Sequence, residues 1–503
     1  NVDAYEYNYW CSPVGSKANS SINNAFGISL LNDITDSFSS IPATFNASSS
    51  YNGTASPLNI EPNWIWKFIA SNDYSQWIYI GGNTTINPGE GFTMKGTNGT
   101  SANNLGGNQN YDFRGKPNNG TIAVDILENQ FSLVGNPYPS ALDALAYIHD
   151  TDNASIITGT LFYWEQDKTV NSHNLSAYDG GYATYTISSD GSVETYVPAV
   201  FYTYNGDGTI NVLGNGMPSG YIPQRYIPIG QGFMVEGDAD GQVLVKNAHR
   251  VYYKESDAES TFFRNAMASN SVFENTMVDS YSRLRFNITF DDSYTRQIVQ
   301  TFSTFATENF DYGLEIRNTI PLQKDALFSD SEYDYVAQAN QFDIDMLIPL
   351  KFNHDAETQV SINLVDTYNF DETIPVFLYD LLDQTYTNLL ETVPEIDLNP
   401  EQSQDRYYIV FQNQDTLDFE EIENTQMFLR YYNSAEELMI TNPLKYKMKT
   451  LIIYDMSGRE VQRYTINAND SSYGKKINHL PNGGYIAQCI YGNNLKQGLK
   501  FVK

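Results

Sequence analysis

Cysteine is nearly absent. Cys11 and Cys489 are the only two in 503 residues, so no disulfide framework holds this chain together. Domains of about 100–200 residues bury enough apolar surface without such cross-links, so an extracytoplasmic location stays open. Positive charge is also scarce: 29 Lys and Arg stand against 60 Asp and Glu, a net of −31. A polymer this acidic repels nucleic-acid phosphates and anionic lipid, which excludes both as partners. No apolar run approaches the ~20 residues that a membrane-spanning helix needs. The five histidines (His149, His173, His249, His354, His479) show no His-Glu-x-x-His or other metal spacing. There is no Gly-x-Ser-x-Gly elbow, and Cys11 has no catalytic flank. Acidic pairs are too frequent for carboxylate counting to single out a glycosidase pair. Asn1 is not an initiator methionine, so a removed leader or further upstream chain is expected.

Asn, Ser, Thr, Asp and Gly are abundant, together with 38 Tyr and 27 Phe. That mixture favours strands joined by turns over helices, and predicts an all-β protein of tandem β-sandwich or jelly-roll-like domains. Residues 1–250 read as short aromatic strands between Asn/Gly/Ser turns. Asn63-Trp64-Ile65-Trp66-Lys67-Phe68-Ile69 alternates with period two, placing Trp64, Trp66 and Phe68 on one face. After a turn at Asn72-Asp73 comes a second such stretch, Gln76-Trp77-Ile78-Tyr79-Ile80.

This region also repeats. Ile86-Asn87-Pro88-Gly89-Glu90-Gly91-Phe92 matches Ile227-Pro228-Ile229-Gly230-Gln231-Gly232-Phe233. Upstream of each lies a proline-bearing turn, Trp10-Cys11-Ser12-Pro13 in one and Val134-Gly135-Asn136-Pro137 in the other. Between turn and glycine pair each copy has a tryptophan-bearing strand, around Trp66 and around Trp164. Order is kept while spacing differs, which predicts a duplicated β unit with unequal loops, split near residues 118–130. No helical pattern follows either Gly-x-Gly-Phe, so a nucleotide-phosphate loop is not expected; a glycine-bent strand entering a core is.

Residues 251–415 carry alternating stretches, among them Arg283-Leu284-Arg285-Phe286-Asn287-Ile288 and Gln359-Val360-Ser361-Ile362, with no helices between them. This predicts a β-sandwich. An acidic linker is expected at 416–425. Residues 426–503 then reverse the charge: eleven Lys and Arg face five Asp and Glu, whereas the preceding chain holds 18 against 55.

In this last segment Ile453-Tyr454-Asp455-Met456-Ser457-Gly458-Arg459 is followed by Leu480-Pro481-Asn482-Gly483-Gly484-Tyr485 and by Lys500-Phe501-Val502-Lys503. In order and spacing these resemble the type A C-terminal sorting domain of cargo proteins of the Bacteroidetes type 9 secretion system. The prolines that usually open such domains are missing, since Tyr432-Asn433-Ser434-Ala435 stands in their place. Upstream, Gly135-Asn136-Pro137-Tyr138-Pro139-Ser140 and the Gly-x-Gly-Phe strands also resemble flavobacterial surface cargo. The resemblance implies an Ig-like β-sandwich at the C-terminus. It assigns the sorting signal to Tyr454, Asp455, Gly458, Arg459, Leu480, Gly483, Tyr485, Lys500, Phe501 and Lys503. It further implies recognition by an outer-membrane translocon β-barrel and a shuttle barrel protein, and export to the cell surface or medium. Outside the C-terminus it implies architecture and no activity.

Three functions follow as expectations: a non-catalytic surface protein in adhesion, attachment or gliding; a carbohydrate-binding accessory protein; or the C-terminal part of a secreted hydrolase. The first is preferred and no enzyme activity is expected. Trp64, Trp66 and Trp77 are candidates for stacking on surface glycans, although alternating aromatics more often fill a core. No cofactor is expected. Asn205-Gly206-Asp207-Gly208 and Asp238-Ala239-Asp240-Gly241 faintly resemble loops for structural calcium, but turn chemistry explains both better.

Overall fold

Strands dominate, as the turn-rich, aromatic composition requires. In the computed structural model half of the chain is strand and 5% is helix. The structure describes residues 3–17, 22–97, 109–213, 222–254, 260, 281–307, 309–330, 332–400, 403, 405–413, 428–432, 436–442, 445–456, 458–470, 472–481, 483–492 and 496–503. The chain forms two units, Asn1–Asn413 and Gln414–Lys503; the acidic linker at 416–425 lies outside the described residues.

The two copies in the first unit share one register. Strand Tyr7–Cys11 pairs antiparallel with Gly91–Lys95, setting Cys11 opposite Gly91 and Tyr9 opposite Thr93. Strand Phe131–Gly135 pairs in the same way with Gly232–Gly237, setting Gly135 opposite Gly232 and Leu133 opposite Met234. Ile86 pairs with Phe26 in one copy, and Ile227 with Leu142 in the other. The glycine that opens each Gly-x-Gly-Phe has positive φ, +85° at Gly89 and +82° at Gly230, a conformation that costs glycine little.

The copies are joined by reciprocal bridges, Trp10 to Gln231 and Val134 to Glu90. These residues occupy equivalent positions, as a two-fold relation between the copies requires. Their strands approach very closely at the second glycine of each motif. A Cβ on Gly91 would lie 2.7 Å from Leu133 Cγ, and one on Gly232 would lie 2.8 Å from the Trp10 nitrogen. A Cβ on Gly135 would meet Cys11 Cβ at 2.5 Å, so this equivalent pair admits one side chain and not two.

One expected strand is absent. Pro62, whose fixed φ suits a helical first turn, starts the 3-10 turn Pro62–Trp64, and strand structure there is limited to Trp66–Lys67. Trp64 thus sits in a turn and not in a strand, while Ile65 and Phe68 are buried in different clusters. Likewise Asp73 caps the 3-10 turn Tyr74–Gln76, and the second stretch contributes only Ile78–Tyr79, which pairs with Trp66–Lys67 as a hairpin.

Residues 281–411 supply one sheet of eleven strands. Its two ends meet over a common core: Val360 and Leu398 from one end pack in the same cluster as Leu378 and Ile409 from the other. The expected sandwich is therefore a single sheet curled on itself. It shares side chains with the duplicated region, because Val200 and Tyr202 sit in that core and Arg285 donates to the Tyr196 carbonyl at 2.8 Å. Residues 1–250 and 281–411 thus belong to one unit.

In the second unit, a sheet of Phe428–Tyr432, Glu437–Thr441 and Ser472–Lys476 accompanies a four-stranded sheet in the order Glu460–Ala468, Met448–Asp455, Gly484–Tyr491, Lys496–Val502. Strand Gly484–Tyr491 alternates strictly, with Tyr485, Ala487, Cys489 and Tyr491 buried between the sheets, alongside Leu438 and Ile440.

The close approach at the glycines sets a stability test. Gly91→Ala and Gly232→Ala should each cost about 1–3 kcal/mol by overpacking against backbone. Gly206→Ala, where a Cβ would meet nothing within 4 Å, should stay within about 0.5 kcal/mol. Urea unfolding of the three variants measures this, and equal stability of all three would refute the packing argument.

Candidate functional site

Aromatic side chains from both copies enclose a cavity of about 370 Å³, within the range of about 300–1,000 Å³ usual for small-molecule sites. Tyr7 and Tyr9 come from the first strand, Trp64 and Trp66 from the turn and hairpin after Pro62, and Trp77 from the segment that follows. The second copy supplies Trp164, Tyr178, Tyr182 and Tyr204. The three tryptophans nominated by sequence are therefore brought together. Each copy adds a tryptophan–tyrosine pair from neighbouring strands: Trp66 meets Tyr79 edge-on at 5.0 Å, and Trp164 meets Tyr182 at 5.2 Å.

The indoles differ in what holds them. Trp64 Nε1 donates to the Tyr51 carbonyl at 2.8 Å, and Trp66 Nε1 to the Asn63 carbonyl at 2.7 Å. Trp164 is 7% exposed, and its Nε1–H has no acceptor among the described residues. Tyr9 and Tyr182 share a hydroxyl–hydroxyl hydrogen bond of 2.8 Å. Whichever of the two accepts keeps its own proton to offer.

Behind the wall lies Lys95, 3% exposed. Its Nζ sits 4.1 Å from the Trp64 ring centroid and 4.7 Å from those of Tyr7 and Tyr178. It donates to the Tyr178 hydroxyl at 2.6 Å and to His173 Nδ1 at 3.1 Å. Burial pulls the lysine well below its usual range, opposed by the charge of Asp3. His173 stacks on Trp64 at 4.9 Å and donates from Nε2 to Asn52 Oδ1 at 2.6 Å. Burial first, and the Lys95 charge second, bring its pKa down to about 4. The imidazole beside the cavity is therefore neutral at physiological pH.

A second cavity of about 380 Å³ adjoins the first and shares Tyr74, Trp77, Tyr182 and Tyr204 with it. Asp73 is its acidic lining residue, and accepts a hydrogen bond from the Ser75 N–H at 2.7 Å. Together the two cavities form a path walled by rings, suited to binding by stacking and hydrogen bonding.

The C-terminal signal residues gather at one end of the four-stranded sheet. Asp455 lies opposite Tyr485, which lies opposite Phe501; the Tyr485 and Phe501 rings stack at 5.7 Å. Next to Tyr454, the Asp455 carboxylate accepts from the Arg459 N–H at 3.1 Å and pairs with its Nε at 2.9 Å. Gly458 supplies the positive φ, +82°, that this turn needs. Gly483 and Lys503 exchange both backbone hydrogen bonds at 3.0 Å. Lys503 Nζ donates to the carbonyls of Leu480 and Asn478 at 2.6 and 3.0 Å, so this lysine clamps the Leu480 turn, while Lys500 is exposed.

Neither faint calcium loop presents a cluster of ligands. Asp207 accepts from Thr209 in its own turn, Asp238 pairs with Arg317 at 2.7 Å, and Asp240 accepts from the Glu128 N–H. Among the described residues no three His, Cys, Asp or Glu are grouped to hold a metal, and no helix is long and apolar enough to cross a membrane.

Sequence reasoning missed Tyr7, Tyr9, His173, Tyr182 and Lys95 at the cavity. Trp164 carried a signal, since the repeat aligned it with Trp66. Residues 1–411 match the model of a family described as a domain of unknown function (DUF8693). No curated protein matches the chain.

The fold favours the neutral ring of His173, so that contribution to stability is complete above its ordinary pKa of 6.5 and is lost as pH falls from there to about 4. Urea titrations of the wild type and His173→Gln should run parallel above pH 6.5 and diverge below it, the wild type losing more. Parallel curves down to pH 4 would contradict a depressed histidine.

Proposed function

The chain belongs to the DUF8693 family through residues 1–411, and we propose that this family body is the non-catalytic passenger of a type 9 secretion cargo. In this reading residues 426–503 are the sorting domain that an outer-membrane translocon and its shuttle barrel recognise, and the protein is displayed on the cell surface or released. One observation carries it: the last ninety residues form a unit of their own, in which the three segments resembling the sorting motif lie side by side on adjacent strands. A basic module behind an acidic passenger gives charge a means of orienting the encounter. The terminal strand Lys496–Val502 ends its sheet, leaving an edge with which a partner strand can pair.

Fusing residues 426–503 to a reporter, in a bacterium that has the pathway, should bring the reporter to the surface. Lys500→Glu, at an exposed position, should remove most of that signal without unfolding the module; a reporter retained in the periplasm would refute the assignment.

The aromatic cavity favours a second reading for the passenger, carbohydrate binding in adhesion or attachment. Rings that line an open cavity instead of filling a core are available to stack on sugar faces. On a glycan array the whole chain should show binding that Trp66→Ala weakens by about tenfold. An array with no bound glycan would remove this second reading and leave the export assignment untouched.

A further inference from the structure

We infer that the seam between the duplicated copies takes an uncharged, hydroxylated chain of at least two rings: a neutral oligosaccharide that runs from one cavity into the next. The inference rests on the carbohydrate reading and specifies its ligand.

Length follows from the duplication. Trp66 and Trp164 hold equivalent places in the two copies and line the same chamber of about 370 Å³. The adjoining chamber of about 380 Å³ continues beyond the shared Tyr74 and Tyr204, whose rings lie 6.2 Å apart. A single ring would occupy one chamber and leave the other's aromatic wall against water.

Hydroxylation follows from the Tyr9–Tyr182 pair at the cavity wall. The two hydroxyls share one hydrogen bond, so one of their protons remains to be donated. A lipid tail would seal that hydroxyl away from water unpaired, which is costly. A sugar offers acceptors at its edge and C–H faces to the rings.

Neutrality, against an anionic chain, follows from the absence of a free cation among the described lining residues. His173 is held by Asn52 and stacked on Trp64. Lys95 spends its ammonium on Tyr178, His173 and three ring faces behind the wall. Asp73, at the second chamber, would repel an anionic sugar.

Calorimetric titration of the full chain tests this with glucose, with cello-, laminari- and chito-oligosaccharides of two to six rings, and with alginate oligosaccharides of the same lengths. At least one neutral series should bind, with affinity rising about tenfold or more from one ring to three, and alginate should bind at least tenfold more weakly. Tyr182→Phe keeps a ring but removes the O–H; it should weaken binding severalfold, while Tyr252→Ala, at a 94% exposed position, should leave binding unchanged. Equal affinity for one ring and three, or for alginate and the neutral chains, would overturn the inference while leaving carbohydrate binding in place. Failure of every saccharide to bind would overturn both.

Discussion

The first unit depends on how closely two backbones approach where the duplicated copies meet. Glycine stands at Gly91 and Gly232 because a Cβ at either would press on the other copy's strand at under 3 Å. Cys11 is tolerated because its equivalent is Gly135. With the strands held this near, the side chains that point past the glycines, Tyr9 and Leu133 among them, form one cluster with Trp164 and Phe68. Beside this seam lies the cavity, lined by strand residues of both copies and by the segments that carry Trp64, Trp77 and His173.

Electrostatics sharpens the character of that space. A protein with a net charge of −31 buries one of its few lysines against three rings and a neutral histidine. The ring quadrupoles stabilise the ammonium that burial destabilises. The same device recurs at Arg285, which is 3% exposed and centred 3.9 Å over the Tyr196 ring, where the curled sheet meets the duplicated region. These two cations fasten aromatic layers from inside, and the described lining of the first cavity carries no Asp, Glu, Lys or Arg.

How much could be read in advance depends on the range of the interaction. Strand Gly484–Tyr491 has the face its alternation predicts, since period two is a property of the strand alone. The strand expected at 63–69 gave way to a 3-10 turn because Pro62 fixes the backbone and Ile65 finds a core of its own. Trp64 and Trp66 were nominated from that strand and Trp77 from the stretch after Asn72-Asp73, and all three share a cavity through tertiary packing. Tyr7 and His173 had no local mark at all. The Tyr454–Arg459 turn and the Leu480–Tyr485 element were visible as motifs, whereas their adjacency on neighbouring strands was not.

By itself the sequence determined the all-β class, the division of charge between a body and its C-terminal segment, and the existence of two related copies, because composition, charge and repetition are additive along a chain. Only the tertiary structure decided that residues 1–413 form one unit, that the sheet of 281–411 curls over a single core, and that rings from residue 7 to residue 204 enclose a common space. Those outcomes turn on which surfaces meet, and the meeting is governed by contacts of a few ångströms between residues far apart in the chain, at glycines whose role appears only when the opposing strand is in place.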